Sequence, residues 1–337
     1  MADRLGRVDL RSAALDGISS LHQSIGRYGA MGDAIARRLE LVPKLTDPYE
    51  IGDIHAMASW WALNTGRYRE AAGFADRGVR EAQAGSPAQG LYCLDFRTAA
   101  HFRLGDWEAT LADVAVAEEV LGDRRETPPG FAPQYLVIAA FIHDARGEGA
   151  MADRYLRLVG WLEAVEDRAE TILALWRSRL LARQGRHEEA RALLERPGIA
   201  DDQRGRDEVL EAWCEVVAEE GAWGDAPAIV EQARSHATWA GVPPLELYAG
   251  RLQGRLTAAT GDGERAADLL RIAADGFADL EAEWEAAITR LELATVEASL
   301  GRATEARDRY GDVIPVFERL RSLRELDRAS GLLARLT

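Results

Sequence analysis

The stretch Leu63-Asn64-Thr65-Gly66-Arg67-Tyr68-Arg69-Glu70-Ala71 reads as the turn between two helices of one helical hairpin. Working outward from Gly66, turn glycines recur as Gly26, Gly66, Gly105, Gly147, Gly185, Gly221, Gly261 and Gly301, with gaps of 40, 39, 42, 38, 36, 40 and 40 residues. So regular a period marks a repeat architecture.

Other positions keep step with the glycine. Seven residues before it stand Ser19, Ser59, Thr98, Ala140, Ser178, Cys214, Gly254 and Ala294, all small. Five residues after it stand Met31, Ala71, Thr110, Ala152, Ala190, Ala226, Ala266 and Ala306, mostly alanine where a second helix crosses the first. Helices approach closely only where side chains are small. Five residues before the glycine, Leu21, Trp61, Ala100, Ile142, Leu180, Val216, Leu256 and Val296 form an apolar stripe that predicts burial.

This pattern resembles the tetratricopeptide repeat, most clearly in Gly105-Asp106-Trp107-Glu108-Ala109 and in the Gly66 turn. The period of about 40 exceeds the usual 34 of that repeat, which longer helices explain. The resemblance implies an all-α fold: a right-handed superhelix of about eight helical hairpins forming a single solenoid over residues 1–337, capped by a helix at about 322–336. A chain of 337 residues is long for one core, but a solenoid escapes that limit because each repeat needs only its neighbours.

Helix starts agree with the register. Asp47-Pro48-Tyr49-Glu50, Ser86-Pro87-Ala88-Gln89 and Asp167-Arg168-Ala169-Glu170 read as capping boxes ahead of first helices. Two stretches break the pattern. The proline- and glycine-rich connection over 122–133 predicts a loop after the third repeat, and Pro197-Gly198 cuts short the second helix of the fifth.

Apolar residues at 47% and charged residues at 29% fit an ordinary folded chain. A net charge of −15 without any basic run argues against direct binding to nucleic acid, which needs phosphate neutralisation. No apolar run is long enough for a membrane span and no export signal leads the chain, so a cytoplasmic location is expected. Cys93 and Cys214 lie in predicted helices and read as buried thiols.

Motifs for chemistry are missing. No phosphate-binding loop and no nucleophile elbow is present, and the only lysine is Lys44. His187-Glu188-Glu189 lacks a second histidine at ligand spacing. His22, His101 and His143 share one register position, but equivalent residues of stacked repeats lie about 10 Å apart, too far for one zinc. No cofactor, metal or catalytic residue is therefore expected.

A solenoid's function more often lies in its concave groove. By the resemblance, groove positions fall 13, 10, 6 and 3 residues before each turn glycine, which marks one helical face. In the second to fourth repeats this face carries Asp53, Trp60, Tyr92, Asp95, Phe102, Phe141 and Asp144. Beyond them come Arg179, the glutamates Glu208, Glu211 and Glu215, then Tyr248, Arg251 and Arg255. Aromatic rings alternating with acids suit a cationic or amphipathic partner. The same residues also read as rings packed on the next helix beside a solvated acidic face.

The closing stretch Trp284-Glu285-Ala286-Ala287-Ile288-Thr289-Arg290-Leu291-Glu292-Leu293-Ala294, followed by Ser299-Leu300-Gly301-Arg302-Ala303-Thr304-Glu305-Ala306-Arg307, resembles the solenoid ends of large ATP-dependent transcription activators and multidomain class III nucleotide cyclases. Together these readings imply a non-catalytic module of bacterial signalling that binds a protein, a peptide or a small ligand. An enzyme with a site built between repeats is the alternative. Oligomeric state is left open.

Overall fold

The computed structural model describes residues 7–82, 87–122, 134–163 and 170–336. Among them it places eighteen α-helices and no strand. The first hairpin pairs α1 (Val8–Ser24) with a 3-10 turn (Tyr28–Met31) that runs into α2 (Gly32–Leu39). Six further hairpins follow the expected register: α3 (Pro48–Asn64) with α4 (Tyr68–Ala82), α5 (Pro87–Arg103) with α6 (Trp107–Gly122), α7 (Gln134–Ala145) with α8 (Gly149–Glu163), α12 (Arg206–Glu220) with α13 (Ala226–Ala240), α14 (Pro243–Ala259) with α15 (Gly263–Asp279), and α16 (Glu283–Ser299) with α17 (Ala303–Leu320). Between them α9 (Glu170–Arg183) pairs with the short α10 (His187–Leu194), which ends just before Pro197, and a one-turn helix α11 (Pro197–Ala200) follows. Helix α18 (Leu323–Ala334) closes the array.

All eight turn glycines have positive φ, between 71° and 93°. The small positions lock the hairpins from inside: Ser59, Thr98, Ala140, Ser178 and Ala294 are fully buried, as are Ala71, Ala190, Ala226, Ala266 and Ala306. At Gly254 a Cβ would come within 2.8 Å of Leu270 on the crossing helix. The apolar stripe is largely buried too, with one exception, Leu21, which is 64% exposed.

Asp47 caps α3 by accepting from the Tyr49 amide at 3.0 Å. Its supposed box partner Glu50 does not turn back; its carboxylate accepts from Arg38 at 3.0 Å and from the Ser12 hydroxyl. The proline-rich connection over 123–133 and the helix starts at Ser86 and Asp167 lie outside the described residues.

The superhelix closes on itself, and this positions everything that follows. The turn of each early hairpin seats on the open end of the hairpin five places later. A Cβ on Gly26 would meet the Gln203 carbonyl oxygen at 2.5 Å, and one on Gly241 would reach the Gly29 Cα at 2.8 Å. The second turn meets Pro244 and Leu280, the third meets Glu283, and the fourth meets Leu323 of the cap. Polar bonds tie the same seams: Arg69 to Glu281, Arg319 to the Gly105 carbonyl at 2.9 Å, and Arg146 to the Leu320 carbonyl at 3.1 Å. No described helix is long and apolar enough to cross a membrane.

Candidate functional site

Closure brings the first helices of the early hairpins face to face with those of the late ones, so the concave face becomes a packed axis. Phe102 and Phe141 are buried there, with ring centroids 5.6 Å apart at right angles, and both meet Trp176. Trp284 continues the stack against Phe141 at 6.2 Å and Trp107 at 4.9 Å. Trp60 is buried between Tyr28 and Phe96. Of the two readings of these aromatics, rings open to a partner or rings packed on neighbouring helices, the burial of Trp60, Phe102 and Phe141 fits the second.

The charges that follow each other in bands along the sequence neutralise one another across the axis. Arg103 donates to both oxygens of Glu211 at 2.8 and 2.9 Å and to the Tyr248 hydroxyl. Arg179 donates to Glu211 at 2.9 Å and to Glu285 at 2.7 Å. Arg251 donates to Glu285 at 2.8 Å and also to Glu215. Ring faces complete the cage, with Arg179 lying 5.2 Å from the Trp176 centroid and Arg251 5.1 Å from that of Tyr248. Although burial opposes it, the surrounding guanidinium groups of Arg179, Arg251 and Arg103 hold the Glu285 carboxyl far below the usual carboxylate range.

The remaining candidates are tied down singly. Asp53 accepts from the buried Arg38 at 2.8 Å, and its carboxyl is raised by burial. Asp95, buried, accepts from the Tyr135 amide at 3.0 Å and from Gln134 Nε2 at 3.1 Å, and burial pushes its pKa up to about 7. Tyr92 is half-buried against Phe96. Asp144 accepts from Gln184 at 2.9 Å, while Arg255 donates to the Ala218 carbonyl at 2.8 Å and lies 3.3 Å from Glu292. So Arg179, Tyr248 and Arg251 come together, Phe102 and Phe141 come together, and Asp53, Trp60, Tyr92 and Asp95 lie around the amino-terminal end of the axis.

Sequence reasoning passed over Arg103, Trp176, Asp207 and Glu285. The complementary signs of the early and late repeats were the available signal, but only a closed superhelix makes them partners. Asp207 and Glu208 differ from the other acids of the axis. They line a cavity of about 50 Å³ with Trp60, Asn64, Gln134 and Trp176 and hydrogen-bond to each other, while no nitrogen or hydroxyl donor among the described residues reaches Asp207 Oδ1 or Glu208 Oε2. Burial first, and the neighbouring Glu208 second, push the Asp207 carboxyl well above its ordinary value; burial raises Glu208 as well. Over the outer face of Trp60 lies the guanidinium of Arg204, 5.0 Å from the ring centroid.

Elsewhere, His101 Nδ1 lies 3.2 Å from Asp113 and His143 Nδ1 lies 2.6 Å from Glu148, each within its own hairpin. Among the described residues no group of three or more histidine, cysteine or acidic side chains is placed to hold a metal. Cys93 and Cys214 are buried and unpaired. A further cavity of about 570 Å³ lies between the α5–α6 turn and helices α16 and α17.

Comparison with models of known protein families gives no match, and neither does comparison with curated proteins. Solved structures do match, among them the crystal structure of a Rap protein complexed with competence and sporulation factor, with a TM-score of 0.51 over 98% of both chains at 12% sequence identity. At that identity the likeness is one of fold, and it makes this chain an all-helical, tetratricopeptide-like solenoid.

Proposed function

We propose that this chain is a non-catalytic binding module of bacterial regulation whose axis, between α3, α5 and α9 on one side and α12 and α14 on the other, receives a protein segment or peptide bearing a basic group. The observation that carries the reading is the pair Asp207 and Glu208, carboxyls held inside a cavity, hydrogen-bonded to each other and given no nitrogen or hydroxyl donor by the other described residues at Asp207 Oδ1 and Glu208 Oε2. A buried pair of carboxyls with no cation beside it is costly to ionise, and a guanidinium or ammonium entering the cavity would supply both charge and donors. Trp60 and Trp176 line the same cavity. The Rap protein of similar fold is itself complexed with another factor, which makes a bound partner a natural use of this architecture. The likeness of residues 284–307 to the solenoid ends of transcription activators and class III cyclases points to signalling as the setting.

In the form described, the layers are held together by the Arg103–Glu211 and Arg179–Glu285 pairs, so admission of a segment requires them to part or the segment to be thin. The test is binding of a library of short basic, neutral and acidic peptides, measured by fluorescence anisotropy. Basic peptides should bind selectively, and Asp207→Asn combined with Glu208→Gln should weaken them by tenfold or more, about 1.4 kcal/mol. Equal binding of all three classes, or indifference to the double substitution, rejects the site. Substrate turnover abolished by the same substitutions would instead favour an enzyme.

A further inference from the structure

Helix α1 is apolar on two opposite faces, and only one of them is used by this chain. Ser12, Leu15 and Ser19 are buried on the inner face. On the other, Leu10, Ile18, Leu21 and Ile25 are 44%, 48%, 64% and 42% exposed, and Ala14 and Gly17 lie exposed between them. At 100° per residue these six positions span an arc of roughly 100°, the width of a helix face that normally meets another helix. Leu21 occupies the register position that Trp61 holds in the next hairpin, where the indole packs 3.0 Å from a Cβ built on Gly32 of the preceding hairpin. The bare stripe thus holds the register position with which the second hairpin stacks on the first, and no described residue covers it.

We propose that this face pairs with α1 of a second copy in an antiparallel, two-fold symmetric contact. The order of residue sizes is self-complementary: when residues whose numbers sum to 35 are set opposite each other, Leu10 meets Ile25, Leu21 meets Ala14 and Ile18 meets Gly17. Gly17 is otherwise unexplained. It stands mid-helix, where glycine costs about 1 kcal/mol relative to alanine, and a Cβ there would touch nothing within 4 Å of its own chain. Close approach by another backbone is the use for a glycine in that place. The carboxy-terminal end of the array cannot serve as the occupant in the same way, because the exposed positions of α18 include Arg324, Asp327, Arg328 and Ser330. One helix pair buries less than the roughly 1,200 Å² of a standard interface, so the contact is weak, with a dissociation constant on the order of 10 µM. Each copy carries −15, so screening of their repulsion by salt should tighten it.

Sedimentation velocity from about 1 to 500 µM protein brackets such a constant and tests the pairing. Wild type should pass from monomer to dimer, at lower concentration in higher salt. Leu21→Glu and Gly17→Leu should each raise the midpoint tenfold or more. Gly17→Leu is the sharper probe, since it favours the isolated helix and fills only the space the second copy needs, so its melting temperature should not fall. With the native thiols buried, Ile18→Cys should cross-link near the two-fold axis under mild oxidation, whereas Leu10→Cys, roughly 20 Å from its mate along the helix, should not. A wild type monomeric throughout, a dimer unmoved by both substitutions, or equal cross-linking at both sites overturns the proposal.

Discussion

Arg179 of the fifth hairpin donates to Glu285 of the eighth at 2.7 Å, and both side chains are sealed from solvent. The pair spans the two layers of the superhelix, and its neighbours Arg103, Arg251 and Glu211 leave few polar atoms in the cluster unmatched.

Removing one member should therefore cost more than removing both. Glu285→Ala leaves the buried Arg103, Arg179 and Arg251 with only Glu211 and Glu215 between them, one positive charge uncompensated, and is expected to destabilise by about 3–5 kcal/mol. Arg179→Met with Glu285→Leu leaves less uncompensated charge, so the double variant should lose less than the sum of the single ones. Urea unfolding of the four proteins closes the cycle. Additive losses would show that the cluster does not act as a unit.

Asp95 gives a pH signature with a definite sign. Its ordinary value is 3.8, and burial raises it to about 7 in the folded chain, so between those values the folded state holds a proton that the unfolded state has released. The stability carried by the neutral carboxyl is fully present below pH 3.8 and is lost as pH rises through about 7. Asp95→Asn, which keeps an acceptor for the Tyr135 amide, should gain on wild type progressively across that window, by up to roughly 4 kcal/mol. Stability curves that run parallel from about pH 4 to about pH 8, roughly the span of the titration, would mean the carboxylate is ionised throughout.

The turn glycines separate into two kinds. Gly26 and Gly301 share the left-handed backbone, but a Cβ on Gly26 collides with the Gln203 carbonyl while one on Gly301 meets nothing within 4 Å. Asparagine tolerates the left-handed region better than other side chains. Gly301→Asn should thus cost about 1 kcal/mol or less, and Gly26→Asn should cost at least about 2 kcal/mol by forcing the two layers apart. Equal melting temperatures for the two variants would place the seam elsewhere.

Much of the fold was legible because the repeat writes the same local physics eight times. Gly66 announces a left-handed turn, Ser59 and Ala71 announce a close helix crossing, and each is found in that role. What lay hidden was the pitch. Nothing near Trp60 or Phe141 in the chain reveals that a second layer will cover them, since their coverings arrive from residues far along the sequence, as when Arg103 meets Glu211 at a separation of 108. The exposure of that face depended on a superhelical closure that local periodicity does not encode. Asp207 escaped notice for a similar reason, being one residue off the groove register beside Glu208.

Seating each early turn on a hairpin five places later also sets a clock for synthesis. Arg69 waits for Glu281, 212 positions away, and the Gly105 carbonyl waits for Arg319, 214 positions away. An open array of repeats can settle behind the ribosome one hairpin at a time, since its contacts are between neighbours. Here the aromatic rings of the first half emerge early and stay uncovered until nearly the last helix has been made. Such long-range closure slows folding and lengthens the interval in which apolar surface is open to misassociation, so the nascent chain is most vulnerable when it is almost complete.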